Sequence, residues 1–67
     1  MIPVKSTVIK AAEHLPAMSS LKIEFHSGKK YLYHPVSKKE YDGFMNAESK
    51  GNYFNEHFRG RGKTVFN

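Results

Sequence analysis

The sequence predicts an α+β fold, in which a small antiparallel β-meander of about three strands is followed by two short C-terminal helices packed on one sheet face. Residues 21–26 alternate apolar and polar side chains, which is the period of a half-buried strand. Ser37 and Glu40 have the spacing of a capping box, which marks a helix start. Because the strands precede the helices, the pattern does not fit alternating βαβ winding.

The first element is expected over residues 7–15, where β-branched residues are mixed with alanines. This composition fits either a strand or a helix, and Pro16 ends the segment in both cases. We predict a strand.

A β-hairpin is expected over residues 21–34, with Gly28 in the turn. A three-residue loop at 26–28, with Gly28 in the left-handed conformation, places Tyr31 opposite Ile23 and puts Tyr31 and Tyr33 on the apolar face. A two-residue turn at 28–29 would reverse this assignment.

Two helices are expected after Pro35. The first begins near Ser37 and has apolar residues at three- and four-residue spacing, including Tyr41 and Phe44. The second follows Ser49, which we expect to cap it, and ends near Phe58. Residues 1–58 are therefore predicted to form a single domain. Residues 59–67, rich in glycine and basic residues, are predicted to be a flexible tail.

Composition restricts the class of protein. A chain of 67 residues has room for one small core, and the absence of cysteine excludes disulfides and thiolate metal sites. The longest apolar runs are too short to span a membrane, and the N-terminus does not resemble a signal peptide, so we expect a cytoplasmic protein with no membrane partner. The formal net charge of +5 favours anionic partners.

An ordered set of residues resembles the KTSC domain family, from Val4 to about Arg61. The family's central Tyr-x-Tyr is matched by Tyr31 and Tyr33, preceded by the strand at 21–25 and by Gly28. A later family segment is matched by Ala47, Ser49, Gly51, Tyr53, Phe54, Asn55 and Arg59.

This resemblance implies a small antiparallel sheet with C-terminal helices. The family is named for the C-terminus of some lysyl-tRNA synthetases and also occurs as small free-standing proteins in bacteria and phages. RNA binding has been suggested for it, without an established mechanism. The chain departs from the family pattern at Glu13-His14, near the place of the usual Gly-Tyr, and at Pro35-Val36, which replaces a Val-Pro before the helix.

The positive charge is concentrated in the last third of the chain. Residues 1–48 contain seven lysines and five acids, for a net charge of +2, whereas residues 49–67 contain four cations and one acid, for a net charge of +3. Lysine and arginine contact phosphates, and aromatic rings stack on bases. The predicted nucleic-acid contacts are Lys50, Arg59, Arg61 and Lys63, with Lys22, Lys29 and Lys30 secondary and Tyr33 and Tyr53 as stacking residues. The other large aromatic residues, including Phe25 and Tyr31, are expected in the core.

Catalytic, cofactor and metal sites are not expected, because the chain lacks a nucleophile elbow, a phosphate loop and paired metal-ligand histidines. The leading hypothesis is a non-enzymatic module that binds nucleic acid, RNA more than DNA, with low sequence specificity. The alternative is a small bacterial or phage accessory protein that binds a host or partner protein. The sequence leaves the oligomeric state open.

Overall fold

The computed structural model describes residues 2–65, and a five-stranded antiparallel sheet is its main feature. The strands follow chain order across the sheet, and the two helices connect the fourth strand to the fifth. The strands are β1 (Ile2–Pro3), β2 (Ile9–Leu15), β3 (Ser20–Phe25), β4 (Lys30–His34) and β5 (Gly62–Val65). The helices are α1 (Lys38–Asn46) and α2 (Lys50–His57), and a 3₁₀ turn spans Pro16–Met18. The α+β class is confirmed.

The sheet has five strands where the sequence predicted about three. β1 contains two residues and pairs with β2 through Ile2 and Ala12, so it is too short to show any period. β5 lies within the segment expected to be a flexible tail. The predicted boundary after Phe58 is corrected accordingly, because Gly62–Val65 pairs with β4 along its whole length. Residues 66–67 of the predicted tail lie outside the described residues.

Close packing explains the glycine at the start of β5. A Cβ atom at Gly62 would lie 2.7 Å from Cε1 of His34 and 3.0 Å from the carbonyl oxygen of His34. A larger residue would push β5 away from β4 at this pair. The glycine that suggested a mobile tail is therefore a requirement of strand pairing.

The predicted hairpin is present, and it has the first of the two registers that the sequence left open. Gly28 has a φ of 93°, and the amide of Phe25 donates to the carbonyl of Lys29 at 2.9 Å. This bulged turn pairs Tyr31 with Ile23 and Tyr33 with Leu21. Both tyrosines therefore point to the helix-covered face.

Side-chain caps start both helices where the sequence predicted. The Ser37 hydroxyl accepts a hydrogen bond from the Glu40 amide at 3.1 Å, and the Glu40 carboxylate accepts one from the Ser37 amide at 3.1 Å. The Ser49 hydroxyl accepts a hydrogen bond from the Asn52 amide at 3.3 Å. These bonds satisfy amides that the first helical turn leaves free.

One hydrophobic core lies between the sheet and the helices. Phe44 of α1 and Phe54 of α2 are buried in it, and Phe58, directly after α2, is 0% exposed. The main contacts from the sheet come from Ile9, Ala12, Leu21, Ile23 and Tyr33. Neither α1 nor α2, nor any other helix within residues 2–65, is long and apolar enough to cross a membrane.

Candidate functional site

Arg61, a predicted phosphate contact, is committed to internal contacts. One of its terminal nitrogens donates to Oε1 of Glu40 at 2.8 Å and to the Pro35 carbonyl at 2.6 Å, and the other donates to Oε2 of Glu40. Its guanidinium also lies over the Phe58 ring, 5.3 Å from the centroid. The hydrogen bonds from Arg61 are the main reason that the pKa of Glu40 falls from 4.5 to about 2, followed by the bond from the Ser37 amide. Arg61 therefore holds the start of β5 against α1.

The two predicted stacking tyrosines are not open platforms. Tyr33 is 4% exposed, and its ring packs edge-to-face on Phe54 with ring centroids 5.0 Å apart. Burial raises the pKa of the Tyr33 hydroxyl. Tyr53 is half-buried and stacks on His57, with ring centroids 4.1 Å apart. Its hydroxyl lies over Gly43. The structure thus places Tyr33 in the core and gives Tyr53 a stacking partner within the chain.

The other predicted cations do not lie on one side of the molecule. Strand pairing sets Lys22 beside Leu32, and Lys30 beside Glu24, on the outer face of the sheet. Arg59 is exposed just after α2, where its charge lowers the pKa of Tyr33 and partly offsets the effect of burial. The predicted residues therefore do not form a single surface.

A continuous groove does bring some of them together. It consists of two adjoining clefts that share Thr7 and Val8 as a common wall. The first, which we call the apolar cleft, has a volume of about 360 Å³ and is lined by Val8, Phe25 and Tyr31, with Lys29 at its side. Phe25 and Tyr31 pack edge-to-face at 5.7 Å and are both half-buried.

The second, which we call the polar cleft, has a volume of about 330 Å³. Lys5 comes from the loop before β2, and Lys50 comes from the first turn of α2. The Lys50 ammonium donates to the Ala47 carbonyl at 2.7 Å, which holds the side chain near the helix start. The other polar lining residues are Ser6, Thr7, Glu48, Ser49, Asn52 and Asn55.

The loop that separates the clefts is held by hydrogen bonds to the β3–β4 turn. The His26 amide donates to the Val8 carbonyl at 3.0 Å, and Nε2 of His26 lies 2.9 Å from the Ser6 carbonyl. The Ser6 hydroxyl in turn accepts hydrogen bonds from the amides of Val8 and Ile9, both at 3.2 Å. The shared wall is therefore anchored at several points.

Four lysines surround this groove. Lys29 lines the apolar cleft, Lys5 and Lys50 line the polar cleft, and Nζ of Lys63 lies 4.7 Å from the centroid of the Tyr31 ring. Glu48 is the acid that lines the polar cleft. The arrangement presents positive charge beside an aromatic surface, which suits a polyanion that carries flat apolar groups.

Sequence reasoning identified Lys29, Lys50 and Lys63 but missed Lys5, and it assigned Phe25 and Tyr31 to the core. Lys5 is distant in sequence from the other three groove lysines, so no local pattern links it to them. Both rings pack against the core and also line the cleft. Within residues 2–65, no three His, Cys, Asp or Glu side chains are grouped so that they could hold a metal ion.

Comparisons with known proteins agree with this architecture. The chain is similar to a crystal structure of a KTSC domain protein from Yersinia pestis, with a TM-score of 0.92 and 29% identity over 97% of this chain and 93% of that one. It is also 40% identical over 55 residues to a protein from Tsukamurella paurometabola, covering 82% of each chain. The sequence model of the KTSC domain matches residues 5–61, from the loop that carries Lys5 to the arginine that holds β5. The chain therefore belongs to the KTSC domain family.

Proposed function

We propose that this protein is a non-enzymatic cytoplasmic module that binds single-stranded nucleic acid, RNA more than DNA, along the two-cleft groove. One observation carries the proposal: four lysines surround a groove whose apolar part is lined by Phe25 and Tyr31. Aromatic side chains in a basic groove bind single strands with little sequence preference, because every base has a flat face.

The lysines would act on the phosphates. Lysine side chains that neutralise phosphates release counterions, and each contact to a single strand contributes about −0.7 to the slope of log affinity against log salt. If all four groove lysines contact phosphates, we expect a slope of about −3. Arg61 has no part in this proposal, because its guanidinium is already paired with the Glu40 carboxylate and bonded to the Pro35 carbonyl.

The test is a titration of a fluorescent uridylate strand over a salt series from about 50 to 200 mM. The variants are a Lys5→Gln, Lys50→Gln pair and a Lys29→Gln, Lys63→Gln pair. We expect each pair to weaken binding and to make the slope less negative by about 1.4.

The matched control is a Lys30→Gln, Lys39→Gln pair, which removes the same charge from residues that line neither cleft. If the control weakens binding as much as the groove pairs, net charge rather than the groove determines affinity, and the proposal fails. A deoxythymidylate strand of equal length tests the preference for RNA. Urea unfolding of each variant separates loss of binding from loss of folding.

The alternative is a protein-interaction module, and the exposed edge of the sheet favours it. The four residues of β5 are exposed, and Val65 is 60% exposed beside Tyr31. An edge strand with free backbone groups can pair with an extended segment of another protein. Absence of strand binding at about 50 mM salt would reject the nucleic-acid proposal and favour this alternative.

A further inference from the structure

The two clefts of the groove differ in chemistry although they share a wall. In the apolar cleft, Val8 and the rings of Phe25 and Tyr31 present mainly carbon surface. In the polar cleft, the ammonium groups of Lys5 and Lys50 are accompanied by side-chain amides, by hydroxyls and by one carboxylate, that of Glu48. A ligand that fills both clefts therefore needs a flat apolar part and an anionic part joined by a short linker.

A nucleotide unit has this construction. We propose that the apolar cleft takes one nucleobase and that the polar cleft takes the phosphate attached to the same or the neighbouring nucleoside, an assignment that rests on the proposed function. The size of the apolar cleft supports it, because about 360 Å³ lies at the lower end of the range for small-ligand sites. A single base has the size that such a cleft accepts.

The position of the lysines supports the same division. Lys29 and Lys63 lie at the edge of the apolar cleft, whose walls remain mainly carbon. Their charges reach the phosphates on either side of a bound base. Because the walls of the apolar cleft offer few hydrogen-bond donors and acceptors, the base is held by stacking and burial, and the site accepts purines and pyrimidines alike.

The wall residue Val8 is central to the arrangement. It is 55% exposed, belongs to both clefts, and sits on a loop fixed by its carbonyl contact with the His26 amide. Its side chain can therefore be changed without opening the core. Met18 is a matched control, because it is 59% exposed in the 3₁₀ turn between β2 and β3, at the other end of the sheet.

The experiment compares three ligands on the full chain at one salt concentration. They are an oligothymidylate, an abasic strand of the same length and charge in which every base is replaced by hydrogen, and thymidine monophosphate. Stacking of one base on an aromatic side chain is worth about 1 kcal/mol or more, so we expect the abasic strand to bind at least about fivefold more weakly than oligothymidylate. Val8→Asn should reduce this difference, whereas Met18→Asn should leave it unchanged.

The outcomes separate this inference from the proposed function. Equal binding of the two strands would overturn the base site and leave a phosphate-binding groove. No binding of either strand would reject the proposed function itself. If thymidine monophosphate binds as tightly as the strand, the base-and-phosphate site is supported, and its ligand is a free nucleotide.

Discussion

Removal of the Arg61–Glu40 ion pair should destabilise the whole domain, although both residues lie near its surface. The pair joins the start of β5 to the first turn of α1. Glu40→Gln retains a side-chain oxygen that can accept the hydrogen bond from the Ser37 amide, so the helix cap is preserved. Arg61→Met retains an apolar stem over Phe58. The two single variants and the double variant form a thermodynamic cycle that isolates the pair.

The pKa of Glu40 sets the expected magnitude. A fall from 4.5 to about 2 would correspond to about 3 kcal/mol if it acted entirely on folding. The Arg61 and Glu40 side chains are 26% and 33% exposed, so water screens part of this interaction. We therefore expect a coupling free energy of about 1 to 2 kcal/mol near neutral pH.

The pH dependence gives the sign of the effect. Because the pKa of Glu40 is lower in the folded state, its contribution to stability is complete above its ordinary value of 4.5. It is lost as the pH falls through that value towards about 2. Urea unfolding followed by circular dichroism should show the full coupling free energy at pH 7 and only a small fraction of it near pH 2.

An exposed ion pair in α1 is the internal control. Nζ of Lys38 lies 2.9 Å from Oδ2 of Asp42, and the two side chains are 72% and 50% exposed. Such an exposed pair contributes about 0.3 to 0.5 kcal/mol to the free energy of unfolding. If the Arg61–Glu40 coupling is no larger than that of this control, or does not change with pH, then the pair does not hold β5 as argued.

Other substitutions test the backbone and the core by the same urea assay. Gly28→Ala should destabilise the domain by about 1 kcal/mol, because φ at this turn is 93°. Gly51→Ala should instead stabilise it by up to about 1 kcal/mol, because the residue lies within α2 and no atom is within 4 Å of an added Cβ; a loss of stability would contradict this. Phe58→Ala should cost about 3 to 5 kcal/mol, since the ring is 0% exposed, and a cost below about 1 kcal/mol would show that the core does not depend on it.

Local features of the sequence were sufficient for the central part of the fold. The alternation before Phe25 and the glycine at 28 predicted the hairpin and reduced its register to two choices, and the turn type in the structure decides between them. Ser37 and Glu40 specified the start of α1 in the same way, because a capping box is completed within four residues. These predictions involve interactions between residues close in the chain.

The fifth strand could not be predicted by such reasoning. Gly62–Val65 has no clear alternation, and its pairing depends on β4, about thirty residues earlier in the chain. The same applies to Arg61, whose partner Glu40 is 21 residues away. The sequence shows which residues are charged but not which residues they contact. A structural arginine therefore cannot be distinguished from a ligand-binding arginine by sequence alone.

The sequence by itself determined the α+β class, the family, the presence of the hairpin and the helix caps, because each depends on short-range chemistry or on an ordered set of motifs. Only the tertiary structure decided which charges are available to a ligand. Folding pairs Arg61 with Glu40, places Lys22 and Lys30 on the outer sheet face, and brings Lys5 and Lys50 to the same cleft. The electrostatic surface depends on distances between residues far apart in the chain, and those distances exist only once the sheet and helices have packed together.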